Sequence, residues 1–505
     1  MDHSRRAFLK AALGLAAAPL LAACLPPPGP SGRLAVGLGA DPATLDPLLQ
    51  TGLVEASVYS NLFDPLFSLD ADGRLQPALA ESYRALDDRT WEFKLRSGVT
   101  FHNGEPFDSS SVRATVERML DPAGKSPIRA QLGAIERVDT PDAHTAVIAT
   151  RQPFAPLLAE LSGLMMLPPR TLAEAGPEGF ARKPVGTGPF RSVEWVKDDH
   201  LTLEANQAYW RGSPRFRRLE FRPVPDSAGR IAALRAGQLD LATNLPTHLA
   251  PSLEQEGLRV AERPGIQALY VRLNARKPPL DDVRVRRALA HAVNYDQFIE
   301  SVYGGHARRI SGPYPPEVFG YDETAPLTPY DPDRARALLR EAGQGGLSLI
   351  FETPRGRYPG DERVAEVLAG YFGEVGVRVD IRIVEWAAYL AKLEAGQGEH
   401  LFLLAGTNRT FDPHFTIVRL YANSNPFGLH YYGNPRVDSL AAEAAATLDP
   451  DRRRALYHQI LAILRADVPA IWLAQLDDLY GLQSRVTWTP RADSLLWMDE
   501  ARLAT

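Results

Sequence analysis

The sequence is poor in cysteine, with Cys24 as the only one among 505 residues. A single cysteine excludes a disulfide framework and any cysteine-based zinc site. A basic excess is also lacking, since 56 Lys and Arg residues stand against 61 Asp and Glu residues. The formal net charge of -5 provides no field that would attract nucleic acid, so we expect no nucleic-acid partner.

Long hydrophobic runs are lacking as well. The one apolar run near the N-terminus, residues 11–23, is shorter than the roughly 20 residues that a membrane-spanning helix needs. The composition therefore excludes a polytopic membrane protein. With 45% hydrophobic residues the chain has enough apolar material for a sizeable core, and its length corresponds to about three domains.

Motifs of catalysis are absent as well. The chain has no G-x-S-x-G elbow, no H-E-x-x-H motif and no P-loop ending in Gly-Lys-Ser/Thr. We therefore predict a protein that is not an enzyme, with no catalytic residue and no cofactor. A secreted hydrolase that uses dispersed carboxylates stays an alternative. His414 and His430, with Asp412 nearby, could assemble a metal site, but their spacing favours ordinary loop histidines, and we predict no metal.

The N-terminus carries the pattern of an export signal. A basic start with Arg5 and Arg6 is followed by the apolar run and by small residues before Cys24. This order predicts a signal peptide over residues 1–23. The proline-rich residues 25–32 that follow make 24–32 a tether.

Two short motifs refine this prediction by resemblance. Residues 4–10 (SRRAFLK) resemble the twin-arginine export signal, and residues 21–24 (LAAC) resemble the bacterial lipobox. The lipobox implies that Cys24 receives lipid. The predicted location is therefore extracytoplasmic, in the periplasm or at the cell surface, with a lipid anchor in a membrane. The alternative is an unmodified cysteine in a plain signal peptide.

Hydrophobic periodicity predicts a mixed α/β fold. Residues 90–95 alternate polar and apolar side chains as a half-buried strand does, and residues 377–383 do the same. Asp282 is a candidate N-cap of a helix that we expect to run to about Tyr303. From residue 347 to 405 the pattern reads β-α-β-α-β, which calls for an α/β lobe.

Several segments, taken together, resemble the family 5 solute-binding proteins of ABC importers, which include oligopeptide-, dipeptide- and nickel-binding members. The segments that carry the resemblance occur in the family's order, and they are AESY at 80–83, TWEFKLRSGVTFHNG at 90–104, PVGTGPF at 184–190, NQAYW at 206–210, DVRVRRALAHAVN at 282–294, VYGG at 302–305, EWAAYL at 385–390 and DPHF at 412–415. Each motif is weak alone, whereas their order over residues 33–500 is specific.

The resemblance implies a two-lobed clamp of the periplasmic-binding-protein type II kind, with an extra subdomain in lobe I. The implied division is lobe I at 33–272 with the extra subdomain at about 77–184, lobe II at 273–480, and a C-terminal segment at 481–505 that returns to lobe I. Two chain crossings near 272 and 480 would form the hinge, and closure about it would seal a ligand between the lobes.

The resemblance also implies candidate binding residues. Peptide-binding relatives place an acidic residue, which pairs with the peptide amino terminus, in the loop before the Asp412-Pro413 motif. Here the equivalent position is Arg409 or Thr410, and neither is acidic. Arg355 matches an arginine that dipeptide-binding relatives use on the ligand carboxylate, although a solvated loop arginine is an equal alternative. The candidate ligand-binding residues are Arg355, Thr407, Asn408, Arg409, Phe411 and Asp412.

The resemblance therefore implies a monomer that binds a peptide or peptide-like small solute and delivers it to an ABC permease and ATPase complex. The missing acid disfavours a standard free-amine dipeptide. A longer peptide held by backbone bonds, an anionic solute and a nickel or other metal chelate stay open, and so does a sensing role in place of transport.

Overall fold

The structure is a computed structural model that describes residues 32–423 and 428–504. The predicted signal peptide and Cys24 lie outside the described residues. No helix within the described ranges is long and apolar enough to cross a bilayer.

The first half of the chain is rich in strands. Its strands are β1 (Arg33–Leu38), β2 (Phe67–Leu69), β3 (Leu75–Pro77), β4 (Ala80–Ala85), β5 (Thr90–Leu95), β6 (Ile135–Asp142), β7 (Thr145–Thr150), β8 (Phe190–Val196), β9 (His200–Ala205), β10 (Arg218–Pro223), β11 (Leu241–Ala242) and β12 (Arg259–Leu273). Its α-helices are α1 (Leu53–Leu62), α2 (Ser109–Leu120), α3 (Arg129–Leu132), α4 (Leu157–Leu161), α5 (Pro169–Arg182), α6 (Ser227–Arg235) and α7 (Ala250–Gln255).

The second half alternates helices and strands more regularly. Its α-helices are α8 (Val283–Ala292), α9 (Tyr295–Tyr303), α10 (Pro332–Glu341), α11 (Asp361–Glu374), α12 (Trp386–Glu394), α13 (His414–Tyr421), α14 (Pro435–Ala446) and α15 (Pro450–Asp467). Its strands are β13 (Ala307–Arg308), β14 (Ser348–Pro354), β15 (Arg378–Val384), β16 (Leu401–Thr407), β17 (Ala470–Leu482), β18 (Val486–Thr487) and β19 (Arg502–Leu503).

The helix predicted from Asp282 to about Tyr303 is two helices. The Asp282 side chain caps α8, as expected, by accepting a hydrogen bond from the Arg284 N–H at 2.8 Å. The break follows because the Asn294 side chain accepts from the Gln297 N–H at 3.1 Å and so starts α9 as a new helix. Asparagine is among the most favoured N-cap residues. Its side chain accepts hydrogen bonds from nearby backbone N–H groups and so offers them an alternative to the bonds of a continuing helix.

One large sheet runs through the whole molecule. Its strand order is β15-β14-β16-β12-β17-β11-β1-β10-β9-β8, and β13 also pairs with β17. The long antiparallel strands β12 and β17 lie at its centre, with hydrophobic cores on either side along their length. A separate four-stranded sheet, β4-β5-β7-β6, lies within the segment predicted as the extra subdomain.

The paired strands β12 and β17 form a long ribbon, and the hydrophobic core that packs against this ribbon changes along its length. Ala261 packs against the first large core, whereas Ala268 and Leu269 belong to the cores of the second half. The pairing of β12 with β17 also shifts register between Pro264 and Ala268. Below, lobe I means residues 33–264 and 477–503, and lobe II means residues 268–476. The hinge crossings of the chain predicted near residues 272 and 480 stay a prediction, because β12 and β17 run unbroken from lobe I into lobe II.

Candidate solute-binding site between the lobes

The candidate site is the loop between β16 and α13, which reaches from lobe II to lobe I. Phe411 adopts a left-handed backbone, with φ of 54°, that is uncommon for a bulky residue. Its ring packs in a small cluster with Leu69 and Ala492 of lobe I and with Ile266 at the ribbon. The loop therefore contributes an apolar contact across the cleft.

Asp412 is held by a buried ion pair. Its carboxylate accepts hydrogen bonds from both terminal nitrogens of Arg453, at 2.6 and 2.7 Å. It also accepts from the His414 N–H at 3.0 Å, at the start of α13. The Arg453 guanidinium in turn donates to the Tyr457 hydroxyl and the Ala444 carbonyl. The carboxylate of Asp412 is thus fully engaged in fixing the loop. Arg409 is then the charged group of the loop that has no direct partner in the described part of the chain.

Arg409 lies half-buried between the lobes. Burial lowers the pKa of the Arg409 guanidinium, and the nearby negative charges of Asp493, Glu55 and Glu160 oppose that shift. All three acids belong to lobe I. Within residues 32–423 and 428–504 the guanidinium makes no hydrogen bond and no ion pair within 4 Å. A cation from lobe II therefore faces carboxyl groups of lobe I without touching them.

Glu160, at the end of α4, is deeply buried, with 1% of the residue exposed. Its Oε1 lies 3.5 Å from the Thr410 hydroxyl, which donates to it across the cleft. Its Oε2 has no hydrogen-bond partner among the described residues. Burial and the negative charge of Asp412 raise the pKa of the Glu160 carboxyl well above its usual range. A carboxyl group with an unpaired oxygen therefore faces the candidate loop.

The other two acids, Asp493 and Glu55, differ in whether a cationic side chain pairs with them. Asp493 is paired with Arg491 at 3.0 Å, and both residues are buried. Glu55, on the first turn of α1, is half-buried, and its Oε1 accepts from the Ala43 N–H at 3.1 Å. Asp493 is thus neutralised within lobe I, whereas Glu55 has no cationic side chain within 4 Å among the described residues.

The remaining predicted residues occupy different positions. Thr407 is exposed at the end of β16, opposite Gln267 of β12. Asn408 is buried, and its amide donates to the Thr416 hydroxyl at 3.2 Å. Asn408 directly precedes Arg409 in the chain, and Thr407 lies two positions before it.

Arg355 follows β14, which pairs in parallel with β16, so both loops leave the same edge of the sheet. Its side chain is 70% exposed, and its Nε lies 2.9 Å from Glu362. A ligand role for Arg355 stays a prediction, and this placement accords with the alternative of a solvated loop arginine.

The two histidines of the alternative metal site have unlike environments, since His414 is partly buried and His430 is exposed. His414 packs edge-on against Phe154, with ring centroids 5.3 Å apart, and burial lowers its pKa to about 4. The Ala155 N–H, beside Phe154, donates to the Ala445 carbonyl of lobe II at 2.7 Å. These contacts join the extra subdomain to lobe II. Neither His414 nor His430 belongs to a group of three metal-ligating side chains within the described residues.

Sequence reasoning missed the lobe I face of the cleft. Glu55, Glu160 and Asp493 are far from the loop in the chain, and no motif marks them. Gly73 was missed as well, although it lies beneath the Phe411 ring. A Cβ built on Gly73 would lie 2.7 Å from the ring carbon Cζ. Only the three-dimensional fold brings these residues to the loop.

We expect Gly73→Ala to weaken closure. The backbone of Gly73 has φ of +82°, and the added methyl would displace the Phe411 ring across the cleft. Overpacking of this kind costs at least about 1 kcal/mol. The measurement is the radius of gyration with saturating solute by small-angle X-ray scattering, which should exceed that of the wild type.

Gly257→Ala is the matched control for this substitution. Gly257 also has φ of +82°, and a Cβ there meets nothing within 4 Å. Both variants share the backbone strain of a left-handed alanine, but only Gly73→Ala disturbs the contact between the lobes. Equal scattering from the two variants would contradict a role for this contact.

The architecture of the chain is that of the two-lobed periplasmic binding proteins. The structure of DppA from Helicobacter pylori in complex with the peptide STSA superposes with a TM-score of 0.84, at 27% sequence identity, over 94% of this chain and 99% of that one. The structure of NikZ from Campylobacter jejuni in complex with Ni(L-His) superposes with a TM-score of 0.82 at 21% identity, over 93% and 99%. The predicted two-lobed α/β fold is confirmed.

The sequence comparisons identify the family. Residues 74–428 match the model of the bacterial extracellular solute-binding proteins, family 5 (middle). The glutathione-binding protein GsiB of Escherichia coli (strain K12) is 30% identical over 475 residues, which cover 91% of each chain. The chain therefore belongs to the family 5 extracellular solute-binding proteins, and its predicted family is confirmed. The relatives are solute-binding proteins and not enzymes.

Proposed function

We propose that this protein is the monomeric solute-binding component of an ABC importer and that it captures a small peptide-like solute carrying at least one carboxylate. The observation that carries the proposal is Arg409, a half-buried cation between the lobes without a direct partner among the described residues. A guanidinium pairs well with a carboxylate because its planar fork donates two parallel hydrogen bonds. A solute carboxylate would supply the partner that the described residues do not.

The acids of lobe I support a solute that also bears an ammonium group. Glu55 faces the cleft from the side opposite Arg409, and so does Glu160, whose raised pKa favours a neutral carboxyl with an oxygen that has no partner among the described residues and could accept a hydrogen bond. A peptide carries both a carboxylate and an ammonium group. The acid missing from the loop would thus be replaced by acids from the other lobe, so a free amine is compatible with this site.

The relatives support a peptide-like solute. The Escherichia coli protein bears the name of a glutathione-binding protein, and the Helicobacter pylori structure holds a peptide. Glutathione has carboxylates, one of which could pair with Arg409, and one ammonium group, which could pair with an acid of lobe I. We therefore infer that glutathione and short peptides are the first solutes to test.

The experiment is calorimetric titration of the purified protein with a panel of matched solutes. The panel contains glutathione, short peptides, their N-acetylated and C-amidated forms, and Ni(L-His). We expect binding of at least one peptide with a free carboxylate and loss of binding on amidation. Binding of the nickel chelate alone would favour the metal-chelate alternative and contradict the proposal.

We further propose that Cys24 is lipidated and holds the protein at a membrane after removal of residues 1–23. Cys24→Ala should release the processed protein into the soluble fraction, because the tether offers no other apolar anchor. Fractionation of cells with an antibody against the protein checks this. Processed Cys24→Ala protein that still sediments with membranes would contradict lipid anchoring.

A further inference from the structure

Three side chains with metal-ligand chemistry meet on the β12–β17 ribbon, apart from the candidate solute site. They are Glu262 of β12, Asp477 of β17 and His306, which precedes β13. One ligand atom from each lies within 4.8 Å of the ligand atoms of the other two. The cluster therefore has three potential ligands from three separate segments.

The backbone explains why these side chains converge. Pro264 of β12 pairs with Asp477 of β17, and Glu262 lies two residues before Pro264. Because side chains alternate along a strand, Glu262 and Asp477 project from the same face of the sheet. The Asp477 N–H donates to the His306 carbonyl at 3.3 Å, and β13 continues the pairing with β17. His306 is thus held beside Asp477 by the main chain.

The charge of the cluster favours a cation. Glu262 and Asp477 are two like charges on one face, and His306 Nδ1 lies 2.6 Å from the Glu262 carboxylate. Arg308, whose positive charge also acts on Asp477, donates its hydrogen bonds to Gln475 and Glu317. Within the described residues, Asp477 has no ion pair with a lysine or arginine. A divalent cation would neutralise the two carboxylates together.

We propose that Glu262, His306 and Asp477 form a binding site for a divalent transition-metal ion of the zinc class. One imidazole and two carboxylates are a ligand set for Zn²⁺, Co²⁺ or Ni²⁺, whereas Mg²⁺ and Ca²⁺ prefer oxygen ligands alone. Three protein ligands leave the fourth position of a tetrahedral ion to water.

The site would act on the hinge. Glu262 and Asp477 lie at the lobe I end of the ribbon, beside the register shift at Pro264–Ala268. His306 is in lobe II. In the chain it lies between Tyr303 and Ala307, which both belong to a hydrophobic core of that lobe. An ion bound by all three ligands joins the lobes on the ribbon and favours the arrangement of lobes in which the ligands meet.

The test is calorimetric titration of tag-free, full-length mature protein with Zn²⁺, repeated with Co²⁺ while visible absorption is recorded. We expect one strong Zn²⁺ site in the wild type and d–d absorption with Co²⁺. His306→Ala and, as a milder isosteric change at a partly exposed position, Glu262→Gln should each weaken Zn²⁺ binding by at least about tenfold.

Two controls separate this site from others. His144→Ala removes an exposed histidine of the β6–β7 turn and should leave Zn²⁺ affinity unchanged. Arg409→Ala should also leave it unchanged, which separates the hinge site from a chelate bound as solute. Absence of Zn²⁺ binding at micromolar concentrations, or wild-type affinity in folded His306→Ala protein, would overturn the proposal.

Discussion

Arg409→Ala should weaken the binding of a carboxylate-bearing peptide by about tenfold to a hundredfold. A charge-assisted hydrogen bond contributes about 1.5–3 kcal/mol, and about 1.4 kcal/mol corresponds to a factor of ten. The loss is expected because Arg409 is the charged side chain of the loop that has no direct partner among the described residues. Calorimetry with the tightest-binding peptide of the panel measures it.

Two further variants make this prediction specific. Arg409→Lys keeps the charge but loses the planar fork, so its affinity should lie between those of the wild type and the alanine variant. Arg355→Ala removes an arginine that is 70% exposed and paired with Glu362, and it should change the affinity by less than about fivefold. A larger loss in Arg355→Ala than in Arg409→Ala would move the carboxylate site to Arg355.

Arg453→Met should lower the free energy of unfolding by about 3–5 kcal/mol. The substitution leaves the Asp412 carboxylate buried without its partner, and breaking one side of a buried pair costs about that much. The side chains of Arg453 and Asp412 are only 8% and 5% exposed, so water cannot replace the lost contacts. Urea denaturation followed by circular dichroism measures the change.

A neighbouring arginine on the same helix is the control. Arg452 pairs with Glu443 at 2.9 Å, and the two side chains are 67% and 43% exposed. Exposed pairs contribute about 0–1 kcal/mol, so Arg452→Met should lower the free energy of unfolding by no more than about 1 kcal/mol. The double variant Asp412→Asn/Arg453→Met should be more stable than Arg453→Met alone. Equal losses in Arg452→Met and Arg453→Met would contradict the structural role given to the pair.

Local sequence patterns predicted the regular elements well. The alternation at residues 90–95 is β5, and the predicted strand at 377–383 is β15 within one residue at each end. These patterns succeed because strand alternation is a property of a few consecutive residues. The break between α8 and α9 was missed because the side chain of Asn294 acts as a cap within an otherwise continuous apolar pattern.

The candidate site was predicted only in part. The loop with Arg409, Phe411 and Asp412 carries a recognisable motif, so sequence could point to it. Its partners could not be predicted, because Glu160 meets Thr410 only after the two lobes fold and come together. The role of Asp412 depends on Arg453, a helix residue 41 positions away with no local signal.

Native mass spectrometry of the protein purified from its own cells tests the central claim most directly. We expect a bound small solute of peptide-like composition with at least one free carboxylate, released on unfolding and depleted in the Arg409→Ala variant. A solute that has no carboxylate, or one that the wild type and Arg409→Ala retain equally, would contradict a peptide-like ligand anchored on Arg409 between the lobes.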